Sequence, residues 1–498
     1  MELATGSKGF VGGHGMRALL GAAAAWLGVA LGVAGAGASP PAAAPSLPRG
    51  EIVERVTCRA DPTKCYALYL PSGYETSRPW PVVFALDPGA RGRVPVERFR
   101  EAAEAYGYVV AGSNDSRNGP LQPSARALAA VIDDARSRLR LDERRFYLTG
   151  FSGGARAASV LASLKAVKVA GLVACGAGLG QGLEPASIRP AYYLGIVGAL
   201  DFNYLEMREL DRRLRTEGVA HRLILTDERH AWPPAEVCTR ALAWLELVAM
   251  ATELRPRDEA VIASVLDAEE EAASALERKG DLDWATVAYE GTAPVARALR
   301  PASAIPARLE ALRARVELRR QEKEENERAR AEKSTLARFG RALVHLRDTP
   351  TSEVSLERTL DELGLARLAG TGKKAPGSKD GQMAVRLLAS LMVQARSLGR
   401  TALDAGDGAR AGLFFETSMR ASALDAPVQN DLRVWLACAR SRAGDAKGAL
   451  KLLREAAAAG FDDREFLQEE PSLAGLRARP EFQEILRSLS APPPAGPE

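Results

Sequence analysis

The stretch "YLTGFSGGARAAS", residues 147–159, runs from an apolar segment through glycines around a serine and into alanine-rich sequence. Gly150, Phe151, Ser152, Gly153 and Gly154 match G-x-S-x-G, a pattern too common to mean much alone. Its setting carries the weight. "RFYLTG" (145–150) before the serine reads as a strand, and "GARAASVLASL" (154–164) after it reads as a helix. Strand, tight turn and helix in succession are what an exposed nucleophile needs. Glycines two before and two after Ser152 permit the turn, and the helix N-terminus aims its N–H groups at developing negative charge. The competing reading is that these glycines only let strand and helix pack closely. Ser152 is therefore the expected nucleophile, subject to what stands beside it.

Working outward, short β-rich runs alternate with helix-like segments from residue 51 to about 250. The runs are "YALYL" (66–70), "PVVFAL" (81–86), "YGYVVAGS" (106–113), "RFYLTG", "VAGLVAC" (169–175), "YYLGIVGA" (192–199) and "HRLILTD" (221–227). Between them lie "PSARALAAVIDDARSRLR", "GGARAASVLASLKAV" and "NYLEMRELDRRLRTEG", with apolar residues at helical spacing. The alternation predicts an α/β fold: a doubly wound, mostly parallel sheet covered by helices on both faces. Runs such as "LVAC" do not alternate apolar with polar residues, as expected of strands buried on both sides.

A serine hydroxyl needs a base. The chain has 4 histidines. His14 falls within the N-terminal segment that reads as a signal peptide, His345 in helical sequence, and His221 at the start of a strand-like run. His230, in "TDERHAWPPAEV", follows the last strand in a loop and is the expected base. The carboxylate that orients it should come between serine and histidine in the chain. Asp201 follows the strand "YYLGIVGAL" directly and would hold the imidazole tautomer; the bland reading of Asp201 is a helix N-cap. The tetrahedral oxyanion needs donors. Gly153 N–H follows the nucleophile, and the second donor is expected from "ALDPGARGR", where Pro88 has no N–H and Gly89 or Ala90 remain. No cofactor or metal is expected, because no clustered His and Cys spacing could bind one.

With these pieces placed, residues 51–250 resemble an α/β-hydrolase, in particular the small secreted esterases related to polyhydroxybutyrate depolymerases and to feruloyl and acetylxylan esterases. The resemblance rests on "YLPSGYETSRPWPVVFALDPG", "GFSGGAR", "GALDFNY" and "HAWPP". It implies a carboxylic ester as substrate, and it makes Trp232 and Phe151 candidate walls of the substrate pocket. Two positions depart from the family pattern: Asp87 and Pro88 stand where a histidine and glycines are usual, and Arg229 replaces the glycine before the base.

The chain of 498 residues is too long for one core, so two or three domains are expected. Lys plus Arg (67) nearly balance Asp plus Glu (63), and the basic residues form no stripe, which argues against nucleic acid as a partner. Residues 1–38 read as a signal peptide, with the apolar run "ALLGAAAAWLGVALGVAGAGA" ending in small residues, and 39–50 as a Pro/Ala-rich linker. The chain is expected to be secreted or periplasmic, with no membrane contact after cleavage; the alternative is an uncleaved N-terminal anchor. Export permits a disulfide, and Cys58 with Cys65 is the expected pair, while Cys175, Cys238 and Cys438 read as buried thiols.

After residue 250 the strand signals stop. Residues 251–369 read as helical and highly charged, 370–380 ("GTGKKAPGSKD") as a flexible linker whose lysine and hydroxyl spacing does not fit a phosphate loop, and 491–498 as a disordered tail. Residues 381–490 resemble degenerate tetratricopeptide helix pairs, with Ala-Gly-Asp breaks at Gly406 and Gly444, 38 residues apart. "RKGDLDWATVAYEG" around Gly280 is a possible outlying unit. The expected function is a serine hydrolase acting on a small or polymeric ester, with the helical half available to a protein partner. The competitors are a peptidase using the same residues and an envelope scaffold with a vestigial hydrolase domain.

Overall fold

The computed structural model describes residues 47–489; the expected signal peptide, most of the expected Pro/Ala-rich linker and the expected C-terminal tail lie outside them. Eight strands form one sheet: β1 (Ile52–Thr57), β2 (Cys65–Tyr69), β3 (Trp80–Leu86), β4 (Val109–Ser113), β5 (Leu141–Phe151), β6 (Gly171–Cys175), β7 (Tyr192–Gly198) and β8 (His221–Thr226). Their order is β1-β2-β4-β3-β5-β6-β7-β8. β1 and β2 pair antiparallel, as do β2 and β4, and every other pairing is parallel. This is an α/β-hydrolase sheet, followed in the chain by an all-helical region.

The strand sequences explain the layering. Every residue of β3 is buried. Val83 enters the hydrophobic cluster on one face, while Trp80, Val82, Phe84 and Leu86 enter the cluster on the other. The helices Arg93–Tyr106 and Ala235–Ala251 fill the first cluster, and Leu121–Arg138 with Gly153–Ser163 fill the second. A strand with apolar side chains on both faces has no solvent side, which is why the alternation expected of half-buried strands is missing.

The chain divides into two compact units. Among the described residues, one comprises 47–198 together with Glu206–Leu318; the other comprises Ala199–Leu205 and 319–489. The sheet unit therefore reaches well past residue 250, where the strand signals end. The helices Glu259–Arg278, Leu282–Leu299 and Ile305–Arg313 contribute Ile262, Leu266, Tyr289, Ala293 and Leu309 to the same cluster as Trp244 and Leu245. Charge adds to this attachment. Arg222 of β8, fully buried and 4.1 Å from the Trp244 ring, pairs with Glu269, which also receives Arg240 Nε at 2.7 Å. Burial alone would raise the Glu269 carboxyl, but Arg222 and Arg240 outweigh it and bring it down to about 2.

In the second unit the expected flexible linker is not found as such. Leu365–Lys374 is a helix, and the next, Lys379–Asp404, starts at a Ser378 cap that accepts Gly381 N–H at 3.0 Å. The leucines of "LARLA" supply the buried face that holds this helix, a signal that the glycines and lysines after it obscure. The Ala-Gly-Asp breaks are helix turns. Gly406 and Gly444 sit at φ +83° and +87°, and Asp407 and Asp445 then cap the helices Gly408–Ala421 and Ala446–Ala458 by accepting Arg410 N–H (2.9 Å) and Gly448 N–H (2.8 Å). The related break at Gly280 (φ +79°) belongs to the sheet unit.

The expected Cys58–Cys65 disulfide is also absent: all five cysteines are buried free thiols. Burial pushes the Cys58 thiol up to about 12, and the carboxylate of Asp134 adds to the effect, so the thiolate needed for exchange is strongly disfavoured. Among the described residues, no helix is long and apolar enough to cross a membrane.

Candidate active site

Ser152 occupies the turn between β5 and the helix Gly153–Ser163 at φ +52°, ψ −120°, a conformation that costs a residue with a Cβ about 1–3 kcal/mol. Close packing around the turn requires the flanking glycines. A Cβ on Gly150 would lie 2.4 Å from the Gly154 carbonyl oxygen, and one on Gly154 would lie 2.1 Å from that of Leu86. The packing role of the glycines and the tight turn are thus the same structure. Ser152 N–H donates to Cys175 O at 2.8 Å, tying the turn to the end of β6.

His230 lies in the loop after β8 with Nε2 2.9 Å from Ser152 Oγ, hydrogen-bond distance for proton transfer. Two contacts place that loop. Gly198, at the end of β7, passes so close that a Cβ there would lie 1.9 Å from Glu228 O. The Phe151 ring packs 4.6 Å from the imidazole and 5.7 Å from Trp232. Phe151 and Trp232 are each only 7% exposed, so both are mostly committed to packing.

Asp201 is buried, and its Oδ1 accepts Asn203 N–H at 2.8 Å, just before the helix Tyr204–Thr216. Its segment, Ala199–Leu205, groups with the helical unit. There the Arg386 guanidinium donates to Ala199 O at 2.7 Å, lies 4.4 Å from the centre of the Tyr204 ring, and is held by Glu332 at 2.9 and 2.6 Å. Sequence reading gave no hint of Arg386, because the contact joins positions nearly two hundred residues apart.

The expected oxyanion donors fare differently. Gly153 N–H has no hydrogen-bond partner among the described residues. Gly89 N–H, in contrast, donates to Asp87 Oδ1 at 2.7 Å, and Ala90, turned to φ +61°, donates its N–H to Asp87 O at 3.2 Å. Asp87 organises this loop. Its fully buried carboxylate also accepts Trp232 Nε1–H at 2.8 Å and Arg91 Nε–H at 3.0 Å. Burial pushes its carboxyl up, but the Arg91, Trp232 and Gly89 donors prevail and hold it below the ordinary Asp range. Asp87 therefore takes up the loop's own N–H groups: those of Gly89 and Arg91 go to its carboxylate and that of Ala90 to its carbonyl oxygen.

Beside Gly153 stands a residue that sequence reading missed. A Cβ on Gly153 would lie 1.8 Å from Asn118 Oδ1 and 2.9 Å from its Cγ, so the Asn118 carboxamide fills the space next to the turn. Only the polar, turn-rich character of "SNDSRNGP" marks that loop in the sequence.

No protein-family model matches the chain, and no curated protein matches it. Among solved structures, it is similar to FphF, a fluorophosphonate-binding serine hydrolase of Staphylococcus aureus, at 14% identity over 40% of this chain and 99% of that one, with a TM-score of 0.33. It is similar to esterase B of Lactobacillus rhamnosis at 16% identity over 41% of this chain and 88% of that one, TM-score 0.33. A Pyrobaculum calidifontis esterase matches at 15% identity over 41% of this chain and 87% of that one, TM-score 0.32.

Proposed function

We propose that this chain is an exported serine hydrolase that cleaves carboxylic esters through an acyl-enzyme intermediate. Ser152 is the nucleophile, His230 the base and then the acid, and Asp201 the carboxylate that orients the imidazole. The observation that carries the reading is a serine held at φ +52° on a strand-to-helix turn with its Oγ 2.9 Å from an imidazole Nε2. Strain of this kind persists where the surrounding structure enforces it, and it clusters at reactive sites.

In the first step Ser152 Oγ bonds to the ester carbonyl carbon and its proton passes to His230 Nε2, while the carbonyl π pair moves to the oxygen. Collapse of that oxyanion expels the alkoxide, which takes the proton from His230; water then repeats the sequence to free the acid. An ester is favoured over a peptide by the resemblance of residues 51–250 to small secreted esterases. The apolar segment at residues 18–38 supports export, and the tetratricopeptide-like helix pairs support a protein-binding role for the helical half.

The test is covalent labelling by a fluorophosphonate probe together with turnover of p-nitrophenyl esters. Wild type should label, and Ser152→Ala and His230→Ala should each lose turnover by on the order of 10⁶-fold. A folded wild-type chain that neither labels nor hydrolyses an ester would sink the reading.

A further inference from the structure

We infer that the side-chain amide of Asn118 is the second oxyanion donor, acting with Gly153 N–H in place of the backbone of the loop after β3. The inference rests on the serine-hydrolase reading of Ser152 and names a group that reading leaves open.

Three observations converge. First, the loop after β3 has no N–H to offer. Pro88 lacks one, Gly89 and Ala90 donate to Asp87, and Arg91 N–H also points to Asp87 Oδ1 at 3.3 Å. Recruiting Gly89 or Arg91 would strip a donor from a fully buried carboxylate, which is costly, and Ala90 N–H is taken by the Asp87 carbonyl oxygen. Second, the Asn118 carboxamide lies against Gly153, in the space a Cβ there would occupy, and has no hydrogen-bond partner among the described residues. The nearby Asn114 differs: its side chain is spent on Gly92 N–H at 3.0 Å and Glu54 O at 3.0 Å. Third, the Asn118 backbone is fixed. Its N–H donates to Pro88 O at 2.9 Å, Arg117 bridges Gly89, and the buried Ser116 donates its hydroxyl to Asp87 O at 3.0 Å.

A donor on a fixed backbone needs only a side-chain rotation, and no loop movement, to meet charge developing on the carbonyl oxygen. The oxygen end of the amide lies nearest Gly153, and a half-turn about the Cβ–Cγ bond exchanges it for Nδ2 without moving the backbone. Asp87 then acquires a clear role. By drawing the loop's N–H groups inward it replaces a backbone donor with a side-chain one from the neighbouring loop.

The experiment is steady-state hydrolysis of p-nitrophenyl butyrate by the full chain and by Asn118→Ala and the isosteric Asn118→Asp, with a fluorophosphonate endpoint titration to count reactive Ser152. Loss of one oxyanion donor should lower kcat and kcat/KM together by about 10²–10³-fold, leave KM within about threefold, and still allow labelling to completion. Asn118→Asp should lose at least as much, because it keeps the shape but removes the N–H donor and adds a negative charge. If either variant keeps kcat within about threefold of wild type, or raises KM with kcat unchanged, Asn118 is not the oxyanion donor and the hydrolase reading stands without it. An inert, folded wild type overturns both.

Discussion

Two kinds of glycine turn in this chain look alike in sequence and differ in physics. At Gly406 and Gly444 in the helical unit the backbone adopts a left-handed φ, and glycine is there because it does so without a steric cost. Around Ser152 in the sheet unit the assignment is reversed. The left-handed residue is the serine, which has a Cβ and bears the strain, while Gly150 and Gly154 are needed for space against Gly154 and Leu86 carbonyls. A turn that merely redirects the chain is relaxed; a turn that must project one side chain is held in place by its neighbours.

That contrast extends to how each unit tolerates change, and the largest expected effect lies in the buried charge of the sheet unit. Glu269→Gln leaves Arg222 buried without its counter-charge, and should cost about 3–5 kcal/mol in denaturant unfolding at neutral pH. The wild-type Glu269 carboxyl sits at about 2, below its unfolded value near 4.5, so its contribution is fully present above pH 4.5 and is lost as pH falls through about 2. Stability measured across that window should slope less in the Gln variant; an unchanged slope would remove Glu269 from the account.

Next in size is the difference between the two sorts of glycine. Gly154→Ala drives a Cβ to 2.1 Å from Leu86 O, where only backbone movement gives relief, and should cost about 3 kcal/mol. Gly444→Ala meets nothing within 4 Å and should cost about 1–2 kcal/mol, from φ alone. Equal costs by chemical denaturation would erase the distinction. The smallest effect sharpens it most: Ser152→Gly should be about 1 kcal/mol more stable than Ser152→Ala, because both lose the hydroxyl and only glycine relieves the strain at φ +52°. Equal stability of the two would mean that the turn is not strained.

Much of the sheet is legible in the chain because parallel strands announce themselves as short apolar runs between helical periodicities. β1 is the weakest in that respect; with Glu54 and Arg55 exposed, its sequence "IVERVT" lacks a continuous apolar run. Ser152 and His230 are legible for a different reason: one lies in a local motif, and histidines are so few that position alone singles one out. The reach of the sheet unit to Leu318 is not legible, since helices that end a sheet domain and helices that begin a helical one share the same period.

What the sequence by itself determined is whatever depends on neighbours along the chain: strand and helix order, the glycine-flanked turn at Ser152, and the Asp-capped turns of the helical half. Only the tertiary structure decided which groups meet across loops. It spent the N–H groups of Gly89 and Ala90 on Asp87, set Asn118 against Gly153, tied the Asp201 segment to Arg386, and left Cys58 and Cys65 as separate thiols. The reason is that hydrogen-bond donors are claimed by whatever acceptor folding brings within about 3 Å, and residue spacing along a chain does not encode that distance.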